Sequence, residues 1–271
     1  YSAEIFPSLS KLYNTTLIVD QKNYHLPNEI CDLKIHDVEW FEENSNLFDR
    51  VVYHFGNSSF HSHMFDLMTR HPGVVVLHDF YLSGIVSHIA AYEAGFWDRY
   101  LYSSHGYSAL RERCVSGSWS NVVMDWPANG PVIQSAVGII VHSEFSRKLS
   151  VKFYNESLSA KWKVVQLART MPDRLSKFNI RSLLGFKDDD FILCSFGVMG
   201  ITKQNKRLID AWKKSKISRI KNCYLIFVGQ EDQSEYGREI KLAISGEMIN
   251  NIKITGYASS DLYKQYLNIS D

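Results

Sequence analysis

Phe191-Ile-Leu-Cys-Ser-Phe-Gly-Val-Met-Gly200 carries the clearest structural signal in this chain. Its apolar run from Phe191 to Phe196 is short and ends at a glycine, which is typical of a buried parallel strand that enters a tight turn. Beyond the turn, apolar residues recur at helical spacing as far as Trp212, and lysines and arginines occupy mostly the other positions. The stretch therefore predicts a strand, a glycine turn and a helix that lies on a sheet.

The glycine turn has two interpretations. Between a strand and a helix, unpaired backbone N–H groups point out of the carboxyl edge of the sheet. The amides from Gly197 to Gly200 would then hold a phosphate, and Lys203 would add a positive charge. A Gly-x-x-Gly turn also occurs in many α/β proteins for packing alone. Spacing by itself leaves both interpretations open.

Polar side chains follow several β-branched runs in the first half of the chain. These runs alternate with helical segments, which predicts parallel sheets. Ligands of open α/β sheets collect where the strands end at their carboxyl side. The residues that we expect to share one crevice for this reason are His54, Gly56, Asn57, His78 and Asp79. Glu144, which follows a further strand and a candidate N-cap at Ser143, is either a member of the crevice or a first-turn acid favoured by the helix dipole.

These patterns together resemble a bacterial family, the group 1 (family 4) type of retaining GT-B glycosyltransferases, which use UDP-, GDP- or ADP-sugars. In the second half of the chain, Gly197, Lys203 and the helix Arg207-Leu-Ile-Asp-Ala-Trp212 are similar to the opening of the family's nucleotide-sugar domain. The matching pieces of the acceptor half are Tyr53-His-Phe-Gly-Asn57, Val76-Leu-His-Asp-Phe-Tyr81 and Ile140-Val-His-Ser-Glu-Phe-Ser146. The resemblance extends over nearly the whole chain and rests on order and spacing.

The resemblance implies roles for individual residues. Lys203 would bind the donor diphosphate, with less help than usual because Val198 stands where the family has an arginine after the first glycine. His78 matches the family's active-site histidine, which is implied to contact the donor sugar or a nearby phosphate; the alternative is a histidine satisfied by the adjacent loop. The other implied donor-binding residues are Gly197, Gly229, Tyr257 and Ala258. The weaker candidates for the cleft are His54, Asn57 and Glu144.

The predicted fold class is α/β of the GT-B type, with two Rossmann-like domains whose parallel sheets face a cleft. We expect an acceptor-side domain at residues 1–167, a polar and basic linker at 168–181 that contains Pro172, and a nucleotide-sugar domain at 182–271. The chain starts partway through a predicted helix without methionine, and it stops before the family's acidic donor motif. We therefore expect two incomplete domains, a fragment with weak or no turnover.

Composition limits the classes of protein and the compartment. The chain has 271 residues, 45% of them hydrophobic, and a net charge of +1, which argues against binding nucleic acid through bulk charge. The segment from Lys203 to Lys221 contains eight basic residues and one acidic residue. This excess of positive charge is either a solvated helix face or a surface for anionic lipids or diphosphates. Four cysteines without a Cys-x-x-Cys pair favour buried thiols in a reducing compartment. With no apolar run near the ~20 residues of a membrane span and no signal peptide, we expect a cytoplasmic protein, with association at the inner face of the plasma membrane left open.

Several other chemistries lack their central motifs. The histidines form no His-x-x-x-His or helical Glu-x-x-His pair, and Asp188-Asp-Asp190 is expected to be a solvated turn away from the crevice, so we predict metal-independent catalysis with no cofactor. Hydrolase, dehydrogenase and Walker motifs are missing. The predicted activity is retaining sugar transfer from a nucleotide diphosphate sugar to a glycan or lipid-linked acceptor, in bacterial surface polysaccharide synthesis. The alternative is a non-catalytic module that binds a nucleotide or a glycan.

Overall fold

The computed structural model describes residues 2–24, 30–116, 119–159, 162–167, 177–245 and 251–271. The chain divides into two compact units, residues 1–169 and 170–271. Most of the predicted linker, residues 168–176, lies outside the described residues, and a helix that begins at Lys177 takes up its remainder. Each unit has its own hydrophobic core.

The first unit is a mixed α/β structure. Its helices are α1 (Ser2–Leu9), α2 (Val38–Asn44), α3 (His63–Arg70), α4 (Ser83–Ala90), α5 (Phe96–Ser116), α6 (Trp119–Asp125), α7 (Gly130–Ser135), α8 (Glu144–Phe153) and α9 (Glu156–Ser159). Its strands are β1 (Thr16–Ile18), β2 (Lys34–His36), β3 (Val52–Phe55), β4 (Val74–Leu77), β5 (Gly138–Val141) and β6 (Trp162–Val164). The β-branched runs of the first half of the chain therefore form strands, among them β3, β4 and β5.

A four-stranded parallel sheet in the order β3-β4-β5-β6 forms the centre of this unit, and β1 pairs with β2 in parallel as a separate sheet. Phe55, Leu77 and Val141 stand opposite one another in the register and are almost completely buried in one core cluster. Because successive side chains of a strand point to opposite faces, the residues next to them in sequence lie on the other face of the sheet. That second face carries the first of the candidate site residues, His54.

The second unit has three parallel strands in the order β7-β8-β9, with helices on both faces of the sheet. Its elements are α10 (Lys177–Leu183), β7 (Phe191–Phe196), α11 (Asn205–Lys214), β8 (Cys223–Val228), α12 (Glu235–Ile244), β9 (Ile252–Ile254) and α13 (Ser260–Ile269). Leu225 and Phe227 pack with the side of α11 and α12, whereas Ile226 and Val228 pack with the side of α10 and α13. Burial on both faces explains why the strands are continuous apolar runs rather than alternating ones.

The segment after β7 differs in detail from the predicted strand, turn and helix. Residues Ile201–Lys203 form a short 3-10 helix, and Gln204 adopts a left-handed conformation with φ of 53° before α11 begins at Asn205. The side chain of Asn205 is buried and accepts a hydrogen bond from the N–H of Gly200 at 3.1 Å. This bond ties the glycine turn to the first residue of the helix, so that Lys203 lies on the connecting loop and not on the helix.

The turn at Asp188–Asp190 was predicted to be solvated, and this is wrong for Asp190. Its side chain is buried and accepts the N–H of Lys187 at 2.8 Å, because the turn folds back onto the buried guanidinium of Arg181. Asp188 and Asp189 are exposed, as expected.

All four cysteines are free, but the expected burial holds for only part of them. Cys223 is buried and Cys194 is partly buried within the strand runs, whereas Cys31 and Cys114 are exposed. Burial raises the pKa of the Cys194 thiol to about 12. Across the residues that the structure describes, no helix is both long and apolar enough to span a membrane.

Candidate functional site

Three histidines stand at the carboxyl edge of the first sheet. His78 directly follows β4 and His142 directly follows β5, and these two strands pair so that Leu77 lies opposite Val141. His54 in β3 lies opposite Val76, two positions before His78. Because side chains two apart on a strand share a face, the register brings all three rings to the same face of the sheet.

The three rings form a continuous hydrogen-bonded chain. Nδ1 of His54 lies 3.1 Å from Nε2 of His78, and Nδ1 of His78 lies 3.0 Å from Nε2 of His142. Nδ1 of His142 then lies 2.9 Å from the backbone carbonyl oxygen of Val165, just beyond β6. Neighbouring rings are stacked, with centroids 5.3 Å and 4.9 Å apart, and Phe6 of α1 contacts the ring of His54 edge-on. These hydrogen bonds run along the carboxyl edge of the sheet from β3 to β6.

The surroundings of these rings favour neutral imidazoles. Burial, followed by repulsion from His78 and His142, lowers the pKa of His54 to about 4. Burial is also the main cause that lowers the pKa of His78 to about 4, with repulsion from His142 second. At neutral pH, His54 and His78 therefore act as hydrogen-bonding groups rather than as cations. This separates their chemistry from that of a cationic phosphate site.

Asn57 and Asp79 hold the loops around the histidines. The backbone N–H of Asn57 donates to Asp79 Oδ2 at 2.8 Å, and the side-chain oxygen of Asn57 accepts the N–H of Ile85 at 2.9 Å in the first turn of α4. From outside the helix, Asn57 thus satisfies one backbone N–H in the first turn of α4 and holds this helix beside the sheet edge. A side chain on Gly56 would stand 3.2 Å from the ring of His61, so this position has little spare room. The expected crevice residues His54, Gly56, Asn57, His78 and Asp79 do lie together.

Glu144 has a different environment. It is exposed in the first turn of α8, where its carboxylate accepts from Nε of Arg147 at 2.8 Å, and Ser143 caps the helix by accepting the N–H of Ser146. The described contacts do not bring it to the histidine chain, which favours the interpretation as a first-turn acid. His142, two residues earlier, was missed as a site residue. The signal was available, since it follows a predicted strand just as His78 does.

The second unit presents glycines at the carboxyl edge of its sheet. A Cβ atom on Gly229, which follows β8, would stand 2.0 Å from the carbonyl oxygen of Gly197, which follows β7. Only glycine allows the two loops to approach this closely. Thr255 supports the same region, because its hydroxyl accepts the N–H of Gly229 at 3.1 Å and donates to the carbonyl of Gly256 at 2.9 Å. The three strand ends therefore form one connected edge.

The turn amides are not all available to a ligand, contrary to the expectation for Gly197 to Gly200. The N–H of Gly197 donates to Val228 O at 3.0 Å, that of Met199 to Gln230 O at 2.9 Å, and that of Gly200 to the Asn205 side chain. Those contacts hold the turn against the loop after β8. Among residues 197–203, all of which the structure describes, the amides without a protein acceptor are those of Val198, Ile201 and Thr202.

The side chains at this edge combine one cation with apolar surface. Lys203 is exposed, makes no ion pair with a described residue, and passes over the turn with its Cε 3.8 Å from the position of a Cβ on Gly197. Val198, Ile201 and Tyr257 are exposed, Tyr257 to 81%. Ala258 instead packs against the core on the α10 and α13 side. The arrangement can present an ammonium group and backbone amides to an anion. The aromatic ring of Tyr257 follows β9, which is separated from β7 by β8.

The basic residues between Lys203 and Lys221 are mostly exposed. Lys206 forms an ion pair with Glu239 of α12 at 2.7 Å, and both side chains are exposed. For Lys206, this favours the interpretation as a solvated helix face. In the ranges that the structure describes, no group of three His, Cys, Asp or Glu residues could hold a metal ion.

Residues 176–271 match the family model described as glycosyl transferases group 1. No curated protein matches the chain. Among solved structures, the fold is similar to that of Anabaena HepE in complex with UDP-glucose, with a TM-score of 0.59 and 15% identity over 100% of this chain and 68% of that one. The complex of HepE with UDP and glucose gives a TM-score of 0.60 at 15% identity, over 100% of this chain and 69% of that one.

Sucrose-phosphate synthase from Thermosynechococcus elongatus is similar too, with a TM-score of 0.54 and 10% identity over 97% of this chain and 65% of that one. The predicted fold class, α/β with parallel sheets as in GT-B glycosyltransferases, is confirmed. The resemblance to group 1 glycosyltransferases is confirmed for residues 176–271.

Proposed function

We propose that the protein is a retaining glycosyltransferase that moves a sugar from a nucleoside diphosphate sugar to a glycan or lipid-linked acceptor. The observation that carries this proposal is the match of residues 176–271 to group 1 glycosyl transferases. In these residues, the glycine turn with its amides and Lys203 lies at the carboxyl edge of the sheet, where α/β proteins bind ligands. The structures of HepE with UDP-glucose and with UDP and glucose share the fold and make a UDP-sugar the first donor to test.

In this proposal, the second unit binds the donor. The ammonium group of Lys203 and the N–H groups of Val198, Ile201 and Thr202 stabilise the negative charge that develops on the departing diphosphate. Tyr257, exposed at the end of β9, stacks on the nucleobase, and the backbone at Ala258 lies beside it. Gly197 and Gly229 contribute by letting the loops approach closely, without a side chain in the way.

In the first unit, His78 is the residue that contacts a sugar, through a neutral ring in keeping with its lowered pKa. Charge on the leaving group is neutralised by Lys203 and the amides, so the proposed reaction needs neither a metal ion nor a cofactor. The proposed setting is the cytoplasmic side of a bacterial membrane, where surface polysaccharides are assembled, with peripheral association at the inner face.

Titration calorimetry with UDP, GDP and ADP tests the donor site. We expect Lys203→Ala to weaken binding of the preferred nucleotide by about 10-fold or more, since one charge-assisted hydrogen bond contributes roughly 1.5–3 kcal/mol. Lys221→Ala is the matched control, because Lys221 precedes β8 and lies at the opposite edge of the sheet. Equal affinities of the wild type and Lys203→Ala would remove Lys203 from the donor site.

The stereochemistry and the catalytic claim need a second measurement. Incubation with a panel of nucleotide sugars, followed by NMR of the product, should show an anomeric configuration equal to that of the donor. Inversion would contradict the retaining mechanism. The alternative is a non-catalytic module that binds a nucleotide or a glycan, and the observation that favours it is Val198 in place of the arginine of similar enzymes. Nucleotide binding without any turnover by the full-length chain would support this alternative.

A further inference from the structure

We propose that His142 is a positioning residue that sets the tautomers of His78 and His54 from the backbone carbonyl of Val165, and thereby makes His78 a hydrogen-bond acceptor toward a ligand hydroxyl. The inference rests on the proposed function for the identity of the ligand, a sugar. For the direction of the hydrogen bonds, it rests on the geometry of neutral rings.

The direction follows from the end of the chain at β6. A backbone carbonyl oxygen can only accept, so Nδ1 of His142 must carry the hydrogen in the 2.9 Å contact with Val165 O. In a neutral imidazole, one nitrogen donates and the other accepts, so Nε2 of His142 accepts when its ring is neutral. The hydrogen in the 3.0 Å contact therefore belongs to Nδ1 of His78.

The same argument passes to the next ring. With its hydrogen on Nδ1, neutral His78 offers the lone pair of Nε2, and the hydrogen in the 3.1 Å contact belongs to Nδ1 of His54. One carbonyl thus fixes three tautomers in the same sense. Reversing any one bond would place two donors or two acceptors face to face in a partly buried site, which costs the free energy of an unmade hydrogen bond.

This polarity selects the kind of ligand group that His78 can meet. An acceptor nitrogen matches a sugar hydroxyl, which can donate in place of Nδ1 of His54. It does not match a phosphate oxygen, which only accepts. A phosphate oxygen matches donors instead, such as Lys203 and the amides in the second unit. Of the two ligand groups implied for His78 by family resemblance, the geometry favours the sugar.

Three variants separate this role from simple packing. His142→Phe keeps a ring of similar size but removes both nitrogens, and we expect kcat to fall by about 10-fold to 100-fold, as when an outer partner that orients a histidine is lost. His142→Gln keeps one acceptor and one donor in the same side chain, so we expect it to restore most of that activity. His88→Phe is the matched control, because His88 is exposed on α4 and contacts Tyr92 through its ring edge.

Tautomers can be read directly, without a ligand. Long-range proton–nitrogen correlation spectra of protein labelled with nitrogen-15 histidine distinguish Nδ1–H from Nε2–H rings, and single His→Gln variants assign the signals. We expect Nδ1–H for His78 in the wild type and in His142→Gln, and a shift toward Nε2–H in His142→Phe. An Nε2–H ring at His78 in the wild type overturns the inference. If the tautomer is as expected but no nucleotide sugar is bound, the proposed function fails and the hydrogen-bond direction stands.

Discussion

Arg181 provides the sharpest test of how the second unit is held together. Its guanidinium is almost completely buried and donates to four oxygens. The acceptors are the carbonyls of Asp188 at 2.7 Å, Asp190 at 2.8 Å and Ile269 at 2.9 Å, and the carboxylate of Asp271 at 2.7 Å. One side chain therefore joins α10, the turn before β7 and the end of α13. We predict that Arg181→Ala severely destabilises this unit.

The magnitude follows from the acceptors that are left behind. The carbonyls of Asp190 and Ile269 would lose their charged donor in a buried place, and a buried group without a partner costs about 1–3 kcal/mol. The carboxylate of Asp271 is 28% exposed and can regain water, so it adds less than a fully buried partner would. We expect a loss of about 3–5 kcal/mol in the free energy of unfolding, in the range found when one member of a buried pair is removed. For a unit of this size, the melting temperature should fall by at least ~12 °C.

Hydrogen–deuterium exchange of the whole chain in increasing urea assigns the loss to the correct unit, through peptides that cover β7, β8 and β9. Arg219→Ala is the control, because Arg219 is exposed in the same unit, and it should stay within about 0.5 kcal/mol of the wild type. Arg181→Lys keeps the charge but not the planar fork and should recover only part of the stability. A loss below about 1 kcal/mol for Arg181→Ala would refute the reasoning.

Two further predictions concern the two sheet edges. Gly229→Ala should cost about 3 kcal/mol or more in the free energy of unfolding, because its Cβ would lie 2.0 Å from the carbonyl oxygen of Gly197 and backbone cannot move aside. Gly185→Ala is the comparison: with φ of 77° and open space around it, it should cost only about 1 kcal/mol in urea denaturation, and equal losses would contradict the role of the close approach. In the first unit, the folded-state pKa of His54 and of His78 lies below the ordinary 6.5, at about 4, so the unfolded chain binds more protons between these values. Stability should therefore fall as the pH is lowered from about 6.5 to 4, and a His54→Gln, His78→Asn double variant should show a flatter profile; an unchanged slope would exclude these histidines as the cause.

Periodicity and turn residues were enough to predict the main secondary-structure elements and the fold class. The apolar run Phe191–Phe196 is a strand with the predicted bounds, and the helix that ends near Trp212 lies on the sheet as expected. Strand ends also located His54, Asn57, His78 and Asp79 at one edge, because parallel strands place their carboxyl ends together. These features depend on periodicity and on local turn residues, which a sequence displays directly.

The pairing of polar groups, in contrast, depends on the folded chain and not on local sequence. The hydrogen bond between His78 and His142 joins residues 64 positions apart, and it depends on the register between β4 and β5, which no local pattern specifies. Likewise, the amides of Gly197, Met199 and Gly200 were expected to face a ligand but donate to groups from the next strand end and from α11. Composition and spacing indicate which residues reach a site. Whether their donors and acceptors remain available there depends on partners that long-range packing brings within hydrogen-bonding distance.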